Sequence, residues 1–167
     1  MSRDPGATAA SVELLVLDVD GVMTDGRLWF GPDGEALKPF HVRDGFGIKR
    51  LRAAGLEVAV ISGRRSAAVD RRMGELGVAH VMQGVEEKDV ALRELLGRLG
   101  IAGARAACLV DDVPDLPLMR AVGLPAAVAD AHPDVLAAAR HVTRLAGGSG
   151  AVREFCDWLL AARGATP

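Results

Sequence analysis

Residues 12–26 read VELLVLDVDGVMTDG. An apolar run, residues 12–17, stops abruptly at Asp18-Val19-Asp20-Gly21. A strand covered by helices on both faces has this continuous apolar character. The same grammar returns at residues 56–61 (LEVAVI, then Ser62-Gly63-Arg64) and at 106–110 (AACLV, then Asp111-Asp112), and more weakly at 79–82 and 125–128. Helices are expected between these runs, over 44–54 with Asp44 as cap, over 66–76 and over 88–99. Gly55, Gly77 and Gly100 supply the C-terminal stops. Repeated strand and helix predict an α/β fold, a doubly wound, mostly parallel sheet. Ligands of such sheets bind at the C-terminal strand ends. Three of those ends carry Asp18 and Asp20, Ser62, and Asp111 and Asp112.

One segment breaks the alternation. Residues 27–40 (RLWFGPDGEALKPF) place apolar residues on either side of Gly31-Pro32-Asp33-Gly34 and predict an antiparallel hairpin flap. Trp29 and Phe30 at its base form an apolar patch of the kind that meets a partner. Residues 1–11 read as a flexible leader and residues 12–163 as one domain. Its tail, 147–163, begins with a flexible Gly147-Gly148-Ser149-Gly150 stretch and ends in an amphipathic helix from 151 to about 162.

The chain has 167 residues and a net charge of −2. Its 20 basic residues are scattered, with no basic face for nucleic acid. No apolar run approaches the roughly 20 residues needed to cross a membrane. Cys108 and Cys156 lie far apart in apolar stretches, as buried thiols of a reducing compartment do. A cytoplasmic setting is expected.

Asp outnumbers Glu 14 to 8, and six Asp fall into two tight groups: Asp18, Asp20 and Asp25, then Asp111, Asp112 and Asp115. An Asp at a strand end often caps a turn, which accounts for one per end rather than two or three. Like charges packed together repel unless a cation compensates, and oxygen donors without His or Cys suit Mg²⁺. Asp18 and Asp20, two apart on one strand end, point the same way. One carboxylate can attack phosphorus while the other serves as acid and then base. Gly21 lets the backbone turn beneath them, and Thr24 offers a hydroxyl near the phosphoryl group. Ser62 and Gly63 make a phosphate cradle, although Ser62 could equally cap the next helix. Lys88 is one of only three lysines beside 17 arginines, and as a compact charge at a helix start it suits an anion. Arg43, Arg64 and Arg72 are candidate partners for a substrate carboxylate.

The ordered set DVDGVMTDG (18–26), SGR (62–64), Lys88 and DDVPD (111–115) resembles the four motifs of haloacid-dehalogenase-type phosphatases. HVRDGFGIK (41–49), MQGVEEK ending at Lys88, VADAHP (128–133) and VTRLAGGSGAVREFCDWLL (142–160) narrow the likeness to the 3-deoxy-D-manno-octulosonate 8-phosphate phosphatase family. The resemblance implies a capless fold and Mg²⁺-dependent hydrolysis of that sugar-acid phosphate in lipopolysaccharide precursor synthesis. It implies Asp18 as nucleophile, Asp20 as acid and base, and Ser62 and Lys88 on the transferring phosphoryl group. Metal would be held by Asp18, the Asp20 carbonyl and Asp111, with Asp112 and Asp115 in support. Substrate contacts would fall on His41, Val42, Arg43, Asp44, Gly45, Lys49, Arg64 and Arg72. A homotetramer is implied, each flap covering a neighbouring active site. Val110, Lys49 and Ser149 depart from the family's usual Gly, Arg and Arg. The alternatives are a phosphatase for sialic-acid-type 9-phosphates and a non-catalytic oligomeric binding protein of the same fold.

Overall fold

The computed structural model describes residues 5–164. In chain order its elements are α1 (Pro5–Ala10), β1 (Leu14–Leu17), β2 (Trp29–Gly31), β3 (Gly34–Leu37), α2 (Val42–Ala53), β4 (Glu57–Ser62), α3 (Ala67–Leu76), β5 (His80–Gln83), α4 (Lys88–Leu99), β6 (Ala106–Val110), α5 (Leu116–Arg120), β7 (Leu124–Ala127), α6 (Pro133–Ala138), β8 (His141–Val142) and α7 (Ala151–Ala162). Six strands form one sheet in the order β5-β4-β1-β6-β7-β8, and every neighbouring pair runs parallel. The doubly wound α/β expectation is met.

All four residues of β1 and all five of β6 are buried, as a strand with helices over both faces requires. The chain passes from β1 outward to β4 on one side and returns to β6 on the other. That reversal leaves a crevice at the C-terminal ends of β1 and β6, where the two Asp groups sit. The hairpin stands apart as a two-stranded antiparallel ribbon of β2 and β3. Trp29, Phe30 and Leu37 on it are 51%, 65% and 66% exposed.

Several expectations need correction. Residues 5–10, read as part of a flexible leader, are helical, and α1 packs on α7 with Thr8 and Ala9 buried; residues 1–4 lie outside the described residues. Helix α2 begins two residues early, because His41 is its cap and its Nδ1 accepts from the Arg43 N–H at 3.2 Å. Asp44 therefore does not cap α2. It is 1% exposed, and its Oδ1 accepts from the Arg153 N–H in the first turn of α7 at 2.9 Å. Ser62 is the last residue of β4 and caps no helix. The short elements α5, α6 and β8 carried no periodic signal.

The glycine tail is not loose. Gly147 donates to Asp130 Oδ1 at 2.9 Å, and Gly148 donates to the Val22 carbonyl at 3.0 Å. A Cβ on Gly147 would collide with the Gly21 carbonyl oxygen, and one on Gly148 with the backbone of Thr24 and Asp25. These glycines are present because two backbones meet there. Gly147→Ala is expected to cost about 1–3 kcal/mol by overpacking, lowering Tm by ~5 °C, and to reduce turnover by displacing the loop after Asp18. Gly97→Ala, inside α4 with nothing within 4 Å of the added carbon, should instead gain about 0.5–1 kcal/mol. Thermal unfolding of the pair checks both signs.

Candidate active site

Asp18 follows β1, and Lys88 opens α4. The ammonium of Lys88 donates to Asp18 Oδ1 at 2.9 Å and to Asp115 Oδ1 at 2.5 Å. All three side chains are under 10% exposed. Burial lowers the ammonium's proton affinity, but Asp18 and Asp115 more than reverse this, so Lys88 stays charged at neutral pH.

One oxygen from each of Asp18, Asp111 and Asp115 lies within 4.8 Å of the others. Burial and the neighbouring carboxylates push the Asp111 carboxyl up to about 8 and that of Asp115 up to about 6. Burial also raises Asp18, against the pull of Lys88. Asp111 Oδ1 is buried without a hydrogen-bond partner. Gly21, at φ +87°, leaves the room the Asp111 carboxylate occupies, and a Cβ there would strike it. Three carboxylates and one ammonium sum to −2, and an orphaned acceptor among oxygen-only donors fits a hard divalent cation. Asp112 is exposed and spends its Oδ1 on the Val113 N–H at 2.8 Å.

Asp20, Ser62, Gly63 and Arg64 complete a cleft of about 480 Å³ with Asp18, Lys88, Asp111, Asp112 and Asp115. Asp20 is engaged by cations of its own. Its Oδ1 accepts from Lys38 at 2.5 Å, and its Oδ2 lies 3.6 Å from Arg64 Nε. The sequence reading missed Lys38, which follows β3. Its rarity among arginines was the one available signal.

The expected substrate contacts divide. Ser62, Gly63 and Arg64 line the cleft. Thr24 does not, being 1% exposed. Its hydroxyl accepts from the Gly26 N–H at 3.2 Å and donates toward the Val19 carbonyl at 3.5 Å, bracing the loop after Asp18 rather than facing a ligand. Asp44, on α2, is buried against α7, as described, and so is no substrate contact of this cleft. Val42, Gly45, Lys49 and Arg72 line a separate groove of about 230 Å³, and Arg43 lines a third of about 580 Å³. His41 caps α2 through its Nδ1. None of these lines the cleft of its own chain.

Among known proteins, the haloacid dehalogenase-like hydrolase family matches residues 76–155. The 3-deoxy-D-manno-octulosonate 8-phosphate phosphatase KdsC of Escherichia coli K12 is 49% identical over 164 residues, covering 98% of this chain and 87% of that protein. The crystal structure of the phosphatase of that name from Yersinia pestis superposes with a TM-score of 0.95 at 47% identity, over 98% of this chain and 89% of that one. The one from Moraxella catarrhalis, solved with magnesium, phosphate and KDO, superposes with a TM-score of 0.94 at 37% identity, over 98% and 94%. Likeness of this extent in both sequence and fold shows that the chain belongs to the 3-deoxy-D-manno-octulosonate 8-phosphate phosphatase family of haloacid dehalogenase-like hydrolases.

Proposed function

We propose that the protein hydrolyses 3-deoxy-D-manno-octulosonate 8-phosphate to the free sugar acid and phosphate, through an aspartyl-phosphate on Asp18. The observation that carries this reading is the buried Asp18–Lys88–Asp115 bridge beside the orphaned Asp111 carboxylate, at the crevice of a parallel sheet. The names of relatives 49% identical over nearly the whole chain supply the substrate.

In the first step an Asp18 oxygen attacks phosphorus, the bond from phosphorus to the sugar oxygen breaks, and Asp20 gives its proton to the departing oxygen. In the second, Asp20 takes a proton from water, which attacks phosphorus and breaks the Asp18–phosphorus bond. Lys88 neutralises Asp18 so that it can approach an anionic phosphate, and Ser62 with Gly63 and Arg64 steadies the phosphoryl oxygens. Asp18 and Asp111 with the Asp20 carbonyl would hold Mg²⁺, Asp112 and Asp115 in support, and the ion would offset charge on the phosphate.

Val42, Arg43, Gly45, Lys49 and Arg72 lie outside the cleft of their own chain, where they are available to the cleft of another copy, which supports the homotetramer as part of this proposal. The exposed Trp29, Phe30 and Leu37 of the flap support it too. Among the described residues no helix is long and apolar enough to cross a membrane. Cys108 and Cys156 are buried free thiols, which supports the cytoplasmic setting.

Phosphate release with Mg²⁺ from the eight-carbon 8-phosphate, set beside a nine-carbon sialic-acid-type 9-phosphate, tests the substrate. A kcat/KM at least about tenfold higher on the former is expected, a difference of about 1.4 kcal/mol in transition-state binding. Chelation by EDTA should stop turnover and Mg²⁺ restore it. An equal or inverted preference would remove the eight-carbon assignment.

A further inference from the structure

The hairpin carries a buried cation that the catalytic scheme above leaves unused. Lys38 lies just beyond β3, and its side chain is 2% exposed. Lysines at the root of a surface ribbon normally carry their ammonium into water. This one buries it, which is costly unless carboxylates compensate. Its partners are Asp20 Oδ1 at 2.5 Å and Glu35 Oε2 at 3.2 Å. Arg64 stands opposite, with Nε 3.6 Å from Asp20 Oδ2 and a terminal nitrogen 3.8 Å from Glu35 Oε2. The four side chains form a ring of alternating charge, Asp20, Lys38, Glu35 and Arg64, that sums to zero. Glu35 is anchored further by the Ser66 hydroxyl ahead of α3, which donates to its Oε1. Ser66, Lys38 and Arg64 outweigh the effect of burial and hold the Glu35 carboxyl below its ordinary value.

The two cations differ in freedom. The Arg64 side chain is 44% exposed and lines the cleft, free to turn toward a ligand. Lys38 is enclosed and has nowhere else to go.

We infer that Lys38 is a positioning residue, which fixes the orientation of the Asp20 carboxylate in the cleft and so couples the seating of the hairpin to proton delivery in the same chain. This rests on Asp20 being the acid and base of the proposed reaction. The flap then serves its own active site through Lys38 at its root, while its apolar tip remains available to a neighbour.

The test exploits the leaving group. A sugar alkoxide needs a proton to depart, whereas 4-nitrophenolate barely does, and kcat/KM reports the step in which either leaves. On 3-deoxy-D-manno-octulosonate 8-phosphate, Lys38→Met should lower kcat/KM by about 10–100-fold, part of the 10²–10⁴ that a positioned acid supplies, with KM within about twofold. On 4-nitrophenyl phosphate the same variant should lose less than about threefold. Lys38→Arg should recover part of the loss. In an Asp20→Asn background, Lys38→Met should have no further effect, since two residues acting through one group are not additive. Equal losses on both substrates, an undiminished loss in the Asp20→Asn background, or wild-type rates on the sugar phosphate would each overturn the inference. If Lys38→Met fails to fold by circular dichroism, Lys38→Gln carries the same comparison with a polar chain of similar length. A wild-type protein that releases phosphate from neither ester would instead sink the proposed function itself.

Discussion

Asp18→Asn should abolish phosphate release, by at least about 10⁴-fold, while leaving the metal-free fold as stable as before or more so. The first half follows from chemistry. A carboxamide of the same shape is not a nucleophile, and Asp20, the other carboxylate able to face the phosphoryl group, is held by Lys38 and Arg64. Losing the attacking group of a covalent mechanism costs about 10⁴–10⁶ in kcat. The second half follows from electrostatics. Burial raises the Asp18 carboxyl above its ordinary value, so its charge is held against the preference of its surroundings. Asn keeps an oxygen to accept from Lys88 and removes one of three crowded carboxylates. Activity and stability then move in opposite directions, as they do where a site is built for reaction rather than for folding. Thermal unfolding without metal and a phosphate-release assay with Mg²⁺ measure the two. A variant with near-normal turnover would refute the aspartyl-phosphate route. One that loses both activity and fold would make Asp18 a structural residue.

What could be read from the chain in advance was whatever its chemistry states locally. Asp18, Asp20 and Asp111 stand at the ends of apolar runs, and parallel strand order brings such ends to one edge whatever the loops do. Lys88 and Asp115 were placed near them by motif, and the structure joins Asp18, Lys88 and Asp115 in one bridge with Asp111 beside it. The misses share a different cause. Asp44 looked like a helix cap because its partner, the Arg153 N–H, is 109 residues away, and the resemblance alone made it a ligand contact. The pairing of Lys38 with Asp20 depends on how the hairpin folds back over the sheet edge, which no local pattern encodes. The 147–150 stretch was read as flexible because glycine marks both freedom and close approach. Only the Gly21 and Thr24 backbones pressing on it decide between them. The short α5, α6 and β8 lack a full period of apolar residues, so periodicity could not find them.

Lys88 is the position where stability and catalysis depend on the same charge, and Lys88→Met should damage both in a pH-dependent way. With Asp111 titrating near 8 and Asp115 near 6, against 3.8 for an ordinary Asp, the metal-free native state retains protons that the unfolded chain has already lost. The stabilisation these groups provide is complete below about pH 4 and is given up as pH rises through 6 and then 8. The charge on Lys88, raised rather than lowered by its setting, persists across that window and limits the loss. Removing it leaves the Asp18 and Asp115 carboxylates buried without their cation, a defect of about 3–5 kcal/mol when both are ionised. Tm at pH 8 should therefore fall by ~10 °C. At pH 5, where protons can take the place of the ammonium, the fall should be much smaller. Saturating Mg²⁺ should recover part of the deficit at pH 8, because a cation bound only by the native state stabilises it by mass action. Turnover should stay down by about 10³-fold even with Mg²⁺, since a metal at the Asp111 side does not restore the positive charge facing the phosphoryl group between Asp18 and Asp115. Melting curves at pH 5 and pH 8, each with and without Mg²⁺, separate these contributions. An equal Tm loss at both pH values would reduce Lys88 to a packing residue, and full catalytic rescue by Mg²⁺ would mean that any nearby cation suffices.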